Sequence, residues 1–177
     1  MRIVDHDGSD VEEGDPGEIL VRGPNVFRGY WRQGEATDEA IADGWFRTGD
    51  VGYADSDGYI FLIDRVKDLI LVSGFNVYPR EVEDALFRHP KVAEVAVVGI
   101  PHPYTGEAVK AFVVLKPGQT ATEEEILEHS RRYLARFKLP QVIEFVQALP
   151  HLPTGKVLKR VLREGSGSQS EPRGEHA

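Results

Sequence analysis

The chain has 177 residues, a net charge of −8 and 41% hydrophobic residues, which is ordinary for a globular core. This length allows one domain, or one domain plus part of another, and the negative charge argues against a broad nucleic-acid-binding surface. The absence of cysteine excludes disulfides, thiolate nucleophiles and thiolate metal sites, and it is compatible with a cytosolic protein.

Two further absences concern membranes and export. No apolar run approaches the ~20 residues of a membrane span. The start of the chain, MRIVDHDGSDVEEGDPG, is acidic and lacks the apolar segment of a signal peptide. We therefore expect a cytoplasmic protein with no transmembrane segment, and peripheral association with a membrane is left open.

Residues 1–64 are rich in turn signals and poor in core residues. EILVRG (18–23) predicts a short strand, and EATDEAIADG predicts a short helix capped at Thr37 and ending near Gly44. Residues 45–53 and 59–64 predict a hairpin whose turn is DSDG. A stretch with so few apolar residues should not fold alone, and we interpret it as the edge of a larger body.

From residue 65 the pattern predicts a compact α+β domain with the order β-α-β-β-α-β-α, of a common domain size. DLILVSG, VAEVAVVGIP, AVKAFVVLKPG and VIEFVQALP are the predicted strands. One predicted helix begins at Pro79 and buries Val82, Ala85 and Leu86. A second begins with a capping box formed by Thr122 and Glu125. The segment KVLKRVLRE is the third predicted helix. Residues 165–177 are predicted to be a disordered tail.

The stretch PHLPTGK (150–156) raises the question of a phosphate-binding loop. The phosphate-loop pattern is GxxxxGK[ST], but Pro150 replaces its first glycine and Val157 replaces the magnesium-binding hydroxyl residue. The interpretation fails on two of four fixed positions. Lys156 is then either an exposed lysine that opens a basic helix or a swinging cation suited to phosphate or carboxylate oxygens.

Four other residues have both a functional and a plain interpretation. Asp50, directly after Gly49, either accepts hydrogen bonds from vicinal hydroxyls or caps its own turn. Arg65 and Lys67 lie in IDRVKDLI, which is either a solvated connection or a boundary where the backbone pivots. Gly74 either lets the backbone approach a ligand or simply completes a turn between a strand and a helix.

Taken together, the strings GWFRTGD, GYIFLIDRVKDLILVSGFNVYPREVEDAL, HPKVAEVAVVGIPHPYTGEAVKAFVVL and LPTGKVLKRVL resemble the C-terminal part of the adenylate-forming enzymes. That superfamily includes acyl-CoA synthetases, adenylation domains and luciferases. DLILVSGFNVYP is most similar to the bacterial long-chain fatty acid–CoA ligases. The resemblance runs from about residue 17 to residue 164, and its separate motifs occur in the family's order.

The resemblance implies an α+β fold in which a three-stranded sheet flanked by helices carries an additional β-hairpin. Residues 65–164 would be the mobile C-terminal domain, and residues 1–64 would be a β-rich remnant of a large AMP-binding domain. The implied reaction is ATP- and magnesium-dependent formation of an acyl-adenylate, followed by transfer of the acyl group to coenzyme A. Fatty acid and coenzyme A would be the substrates.

The resemblance also assigns roles to single residues. Asp50 and Arg65 match the residues that hold the ribose, and Lys67 matches the hinge. Gly74 matches the loop glycine on the coenzyme A side. Lys156 matches the lysine that bridges the carboxylate and the α-phosphate during adenylation, which would stabilise charge where it develops.

The family's phosphate loop and acyl pocket have no counterpart in these 177 residues. We therefore expect the partner of this chain to be an N-terminal domain that carries both. Without that domain we expect no tight binding of ATP, AMP, coenzyme A or magnesium, and no activity. The alternative is a non-catalytic domain that binds a partner or a complementary fragment.

Overall fold

A computed structural model describes residues 1–166 and divides the chain into two compact units, Met1–Lys67 and Asp68 onward. The predicted tail, 165–177, lies almost wholly outside the described residues. Within the described part of the chain, no helix is both long enough and apolar enough to cross a membrane.

The first unit is an antiparallel five-stranded sheet with the order β1-β2-β4-β3 and with β5 paired to β4. Its core is small: the buried hydrophobic residues are Val4, Ile19, Leu20 and Val51. Its elements are β1 (Arg2–Val4), β2 (Gly17–Val21), α1 (Gly34–Ala40), β3 (Ile41–Ala42), β4 (Trp45–Ala54) and β5 (Ile60–Arg65).

The predicted hairpin is observed as β4 and β5, with residues 55–58 as its turn. The helix prediction was wrong in its boundaries, because α1 begins at Gly34 and Thr37 lies inside it. The Thr37 hydroxyl donates to the Gln33 carbonyl at 2.7 Å instead of capping the helix. The helix ends at Ala40 because Ile41 and Ala42 pair with β4.

The second unit is built around β9, which pairs with β8 antiparallel and with β10 parallel. The β6–β7 hairpin joins β9 at the Val72–Gly106 pair. This arrangement confirms the expected α+β fold of three strands, flanking helices and a hairpin. The elements are β6 (Ile70–Val72), β7 (Phe75–Val77), α2 (Pro79–Phe87), β8 (Val92–His102), β9 (Gly106–Leu115), α3 (Glu123–Ser130), β10 (Val142–Phe145) and α4 (Lys159–Ser166).

The helices of this unit form largely as their sequence patterns predict. Val82, Ala85 and Leu86 of α2 are buried, and the Thr122 hydroxyl accepts a hydrogen bond from the Glu125 amide at 3.2 Å. However, α3 ends at Ser130. Leu134 is also buried, but it lies in a turn after the helix, in which the Leu134 amide donates to the Ser130 carbonyl.

A pair of histidine rings lies between the end of α2 and α3. His89 is 5% exposed, and its ring meets that of His129 edge to face at a centroid distance of 4.9 Å. Burial, with a smaller contribution from His129, lowers the pKa of His89 below its usual value. Glu125, 3.6 Å away, acts in the opposite direction, and Lys91 adds to the lowering.

The core of the second unit should depend on Leu86 far more than on its neighbour. Leu86 is fully buried in the main cluster, whereas Phe87 is 57% exposed. We expect Leu86→Ala to lower the free energy of unfolding by about 2–5 kcal/mol, and Phe87→Ala by less than about 1 kcal/mol. Denaturant titration of both variants checks this, and equal losses would contradict the assigned core.

The histidine pair should make stability depend on pH. Because the pKa of His89 is lower in the folded state, the unfolded state binds the proton first as the pH falls. Stability should therefore be complete above about pH 6.5, the unfolded value, and should fall as the pH drops towards the folded pKa. In urea titrations from pH 7.5 to 5, His89→Gln should reduce this slope, and an unchanged slope would contradict the assignment.

Candidate functional site

Asp50 is positioned by an irregularity in β4. Glu18 of β2 pairs with Val51 of β4, and Leu20 pairs with Arg47. Between these two pairs β4 has more residues than β2, so it forms a bulge. Gly49, within the bulge, has φ +70°, which glycine adopts without strain. Thr48 fixes the bulge, since its hydroxyl donates to the Ile19 carbonyl at 2.7 Å and accepts from the Asp50 amide at 3.1 Å. Such bulges redirect side chains next to functional sites.

Asp50 and Arg65 are cross-strand partners on β4 and β5. Arg65 Nε lies 2.7 Å from Asp50 Oδ1, and the two side chains are 47% and 32% exposed. An ion pair this exposed contributes about 1 kcal/mol or less to stability. The pair is therefore of little use to the fold, and it presents a carboxylate and a guanidinium side by side at the surface of the first unit.

Lys67 lies in a short 3-10 helix, Val66–Asp68, that follows β5. Lys67 is exposed, and it is the last residue of the first compact unit. The division between the units thus falls at the predicted hinge position. The pivoting motion itself remains a prediction.

Gly74 occupies a different local structure from the one predicted. The sequence indicated a turn between a strand and a helix, but Ser73 and Gly74 form the two-residue turn of the β6–β7 hairpin. Their φ angles of +51° and +84° are those of a type I′ turn, which suits the twist of a hairpin. A Cβ built on Gly74 meets nothing within 4 Å, so this turn is open to a ligand.

Lys156 lies in a loop that we define as residues 150–158, the Lys156 loop. The Gly155 amide donates to the Leu152 carbonyl and the Leu152 amide to the Lys156 carbonyl, both at 2.8 Å. The Leu158 amide donates to the Pro150 carbonyl at the same distance, and His151 and Val157 form a β-bridge. These hydrogen bonds close the backbone of the loop, and the swing of the lysine remains a prediction.

The Lys156 side chain differs from its backbone. The residue is exposed, and within residues 1–166 no hydrogen bond or ion pair is found for its ammonium group. The interpretation of Lys156 as the opening residue of a helix was wrong, because α4 begins at Lys159. The fold thus presents an unpaired cation on an ordered loop, which can bind an oxyanion without first breaking an internal contact.

Sequence reasoning missed the contacts that hold this loop. Lys159 Nζ lies 2.7 Å from Oε1 of Glu83 in α2, and His151 Nε2 lies 3.3 Å from Glu94 Oε2. The chain itself offered no signal that a carboxylate at position 83 meets a lysine 76 positions later.

Two stretches of the chain match known protein families. Residues 81–156 match the family described as AMP-binding enzyme C-terminal domain, and residues 1–31 match the family described as AMP-binding enzyme. The chain is 52% identical over 93% of its length to the long-chain-fatty-acid–CoA ligase of Yersinia pestis. It is 50% identical over 92% of its length to that of Escherichia coli O157:H7. The chain spans 29% of the length of each ligase.

Solved structures of adenylate-forming enzymes also match this chain. ATP-bound MatB from Rhodopseudomonas palustris matches 96% of the chain with a TM-score of 0.89 and 44% identity, and 34% of MatB is covered. The o-succinylbenzoate CoA synthetase of Bacillus subtilis, in complex with its acyl-adenylate intermediate, matches 99% with a TM-score of 0.82 and 33% identity, with 35% of that protein covered. The predicted resemblance is therefore confirmed: this chain carries the AMP-binding enzyme C-terminal domain of the adenylate-forming enzymes.

Proposed function

We propose that this chain is part of an ATP-dependent fatty acid–CoA ligase and supplies its adenylation lysine, Lys156. In the first step a carboxylate oxygen of the acid attacks the α-phosphorus of ATP, and pyrophosphate leaves. In the second step the thiol of coenzyme A attacks the acyl carbonyl, loses its proton, and AMP leaves. The observation that carries the proposal is the ammonium group on the hydrogen-bonded Lys156 loop, which has no hydrogen bond or ion pair with the described residues.

The chemistry of adenylation requires a cation of this kind. The attacking carboxylate and the α-phosphate are both anionic, so they repel each other until a positive charge lies between them. A compact ammonium can contact an oxygen of each, and it stabilises the charge that develops as the new bond forms. The Lys156 ammonium reaches this role without breaking a hydrogen bond or an ion pair, because it makes neither with residues 1–166.

Asp50 and Arg65 fit the ribose of the nucleotide. A carboxylate accepts hydrogen bonds from two vicinal hydroxyls, and the neighbouring guanidinium donates. Their 2.7 Å contact fixes the carboxylate before a ligand arrives, which limits the entropy lost on binding. We assign the hinge to Lys67, and we assign contact with the pantetheine arm of coenzyme A to the Gly74 turn.

Magnesium, which the family implies, does not fit the described residues near these groups. Within residues 1–166, the grouped candidate ligands are Asp5, His6 and Asp7. Asp5 Oδ1 already accepts from the Asp7 and Ser9 amides in a turn, and neither Asp50 nor Lys156 belongs to this group. We therefore derive no step through magnesium from this chain.

The proposed partner is an N-terminal domain with the phosphate loop and the acyl pocket. Its support is the 29% share of the relatives' length that the chain spans. On this proposal the chain alone has no ligase activity. The rival proposal, a non-catalytic binding domain, shares that expectation, so a second measurement must separate the two.

Replacing the matching segment of the Yersinia pestis ligase with residues 1–166 provides that measurement. We expect the chimaera to release pyrophosphate from ATP and palmitate and to form palmitoyl-CoA, whereas the 177-residue chain alone should release none. The coverage of 93% at 52% identity makes this exchange feasible. A folded chimaera without activity would favour the non-catalytic domain, and turnover by the chain alone would contradict the need for a partner.

Lys156→Ala in this chimaera should act on adenylation alone. We expect kcat for pyrophosphate release to fall by about 10²–10³, the usual cost of removing one group that stabilises a developing charge. Transfer of acyl from supplied palmitoyl-AMP to coenzyme A should change by less than about tenfold, because the cation is not needed there.

Two controls accompany this prediction. Arg160→Ala removes an exposed cation whose side chain is 82% exposed and should leave both steps unchanged. The thermal midpoint of Lys156→Ala should equal that of the parent, because the substitution removes no hydrogen bond or ion pair seen within residues 1–166. Equal losses in both half-reactions would argue against a role confined to adenylation.

A further inference from the structure

We propose that Glu83 and Lys159 are positioning residues for Lys156, an inference that rests on the proposed function. Neither residue would touch the substrates. Their ion pair would fix the C-terminal end of the Lys156 loop, and so fix the direction from which the ammonium group approaches an anion.

The Glu83 carboxylate joins three elements of the second unit. From α2, its Oε1 accepts a hydrogen bond from the Val97 amide of β8 at 2.8 Å. The same oxygen lies 2.7 Å from Nζ of Lys159, the first residue of α4. Among the described strands β8 pairs only with β9, so Glu83 also satisfies an amide on the free edge of β8.

The burial of this pair separates it from the ordinary surface ion pairs of the chain. The side chains of Lys159 and Glu83 are 19% and 20% exposed, whereas those of Arg160 and Glu164 on the same helix are 82% and 67% exposed. Screening by water and salt is weaker for the more buried pair. Lys159 also lies at the N-terminus of α4, where a cation opposes the helix dipole. Lys159 therefore does not stabilise the helix through its charge, and its ion pair with Glu83 is what stabilises the lysine at this position.

The loop is held at its other end as well. His151 contacts Glu94 at 3.3 Å, and Leu149 and Leu162 are buried in one cluster on either side of the loop. Between these points lies a groove of about 380 Å³, lined by Glu83 and Glu94 on the body and by His151 and Val157 on the loop. Glu83 and Glu94, which line this groove, thus meet the two ends of the loop through Lys159 and His151.

Helix α4 offers a matched control. Arg163, one turn after Lys159, pairs with Asp68 at 2.6 Å, and the two side chains are 34% and 15% exposed. Arg163→Met thus removes a similar ion pair from the same helix at a point farther from the Lys156 loop. A purely structural role in holding α4 predicts similar effects of Lys159→Met and Arg163→Met on the loop.

The first test uses the 177-residue chain and amide hydrogen exchange by NMR. The Leu152 and Leu158 amides report loop closure, because both donate within the loop. We expect Lys159→Met and Glu83→Gln to speed exchange of these amides by about fivefold, as expected for loss of a partly buried ion pair. Lys159→Arg should restore protection, and Arg163→Met should have less than half the effect. Unchanged exchange in Lys159→Met, or an equal effect of Arg163→Met, would overturn the proposal.

The second test uses the chimaera described above. Lys159→Met should lower kcat for pyrophosphate release by about tenfold and leave KM for ATP unchanged, since the ribose-binding groups are intact. Lys159→Arg should recover most of the rate. Faster loop exchange with unchanged kcat would overturn the positioning role, whereas an unchanged kcat in Lys156→Ala would overturn the proposed function itself.

Discussion

At Lys156 the backbone is fixed by hydrogen bonds, whereas the ammonium group makes none with the described residues. The backbone is closed by hydrogen bonds of 2.8 Å, and carboxylates contact both ends, Glu94 at His151 and Glu83 at Lys159. The ammonium group, in contrast, has no partner among residues 1–166. An exposed cation without a partner among these residues adds nothing to stability, and in the proposed function the closed loop holds it for the anions of adenylation.

The same logic applies to Asp50 and Arg65 in the first unit. Their ion pair is too exposed to matter much for stability, yet a bulge, a glycine with φ +70° and the Thr48 hydroxyl all fix the carboxylate. Both proposed sites thus combine a rigid backbone with polar groups that the fold itself does not require. This is the arrangement expected where binding must not be opposed by reorganisation of the protein.

Much of this was readable from the sequence, and the exceptions have physical causes. The buried face of α2, the Thr122 cap and the β4–β5 hairpin follow from local patterns, and the family resemblance came from motifs in order. The strand Phe75–Val77 was missed because Gly74 suggested a simple turn, and α1 was misplaced because Thr37 resembles a cap. The contacts of Glu83 with Lys159 and of Glu94 with His151 join residues distant in sequence, so periodicity could not reveal them.

The most direct test of the central claim is chemical rescue of the ammonium group. In the Lys156→Ala chimaera, ATP–pyrophosphate exchange should be nearly lost and should recover as methylammonium or ethylammonium is added, whereas the parent should not respond to either. Recovery that follows the concentration of the charged amine would show that a cation at this point is what adenylation needs. Exchange that is normal in Lys156→Ala without any amine would contradict the account.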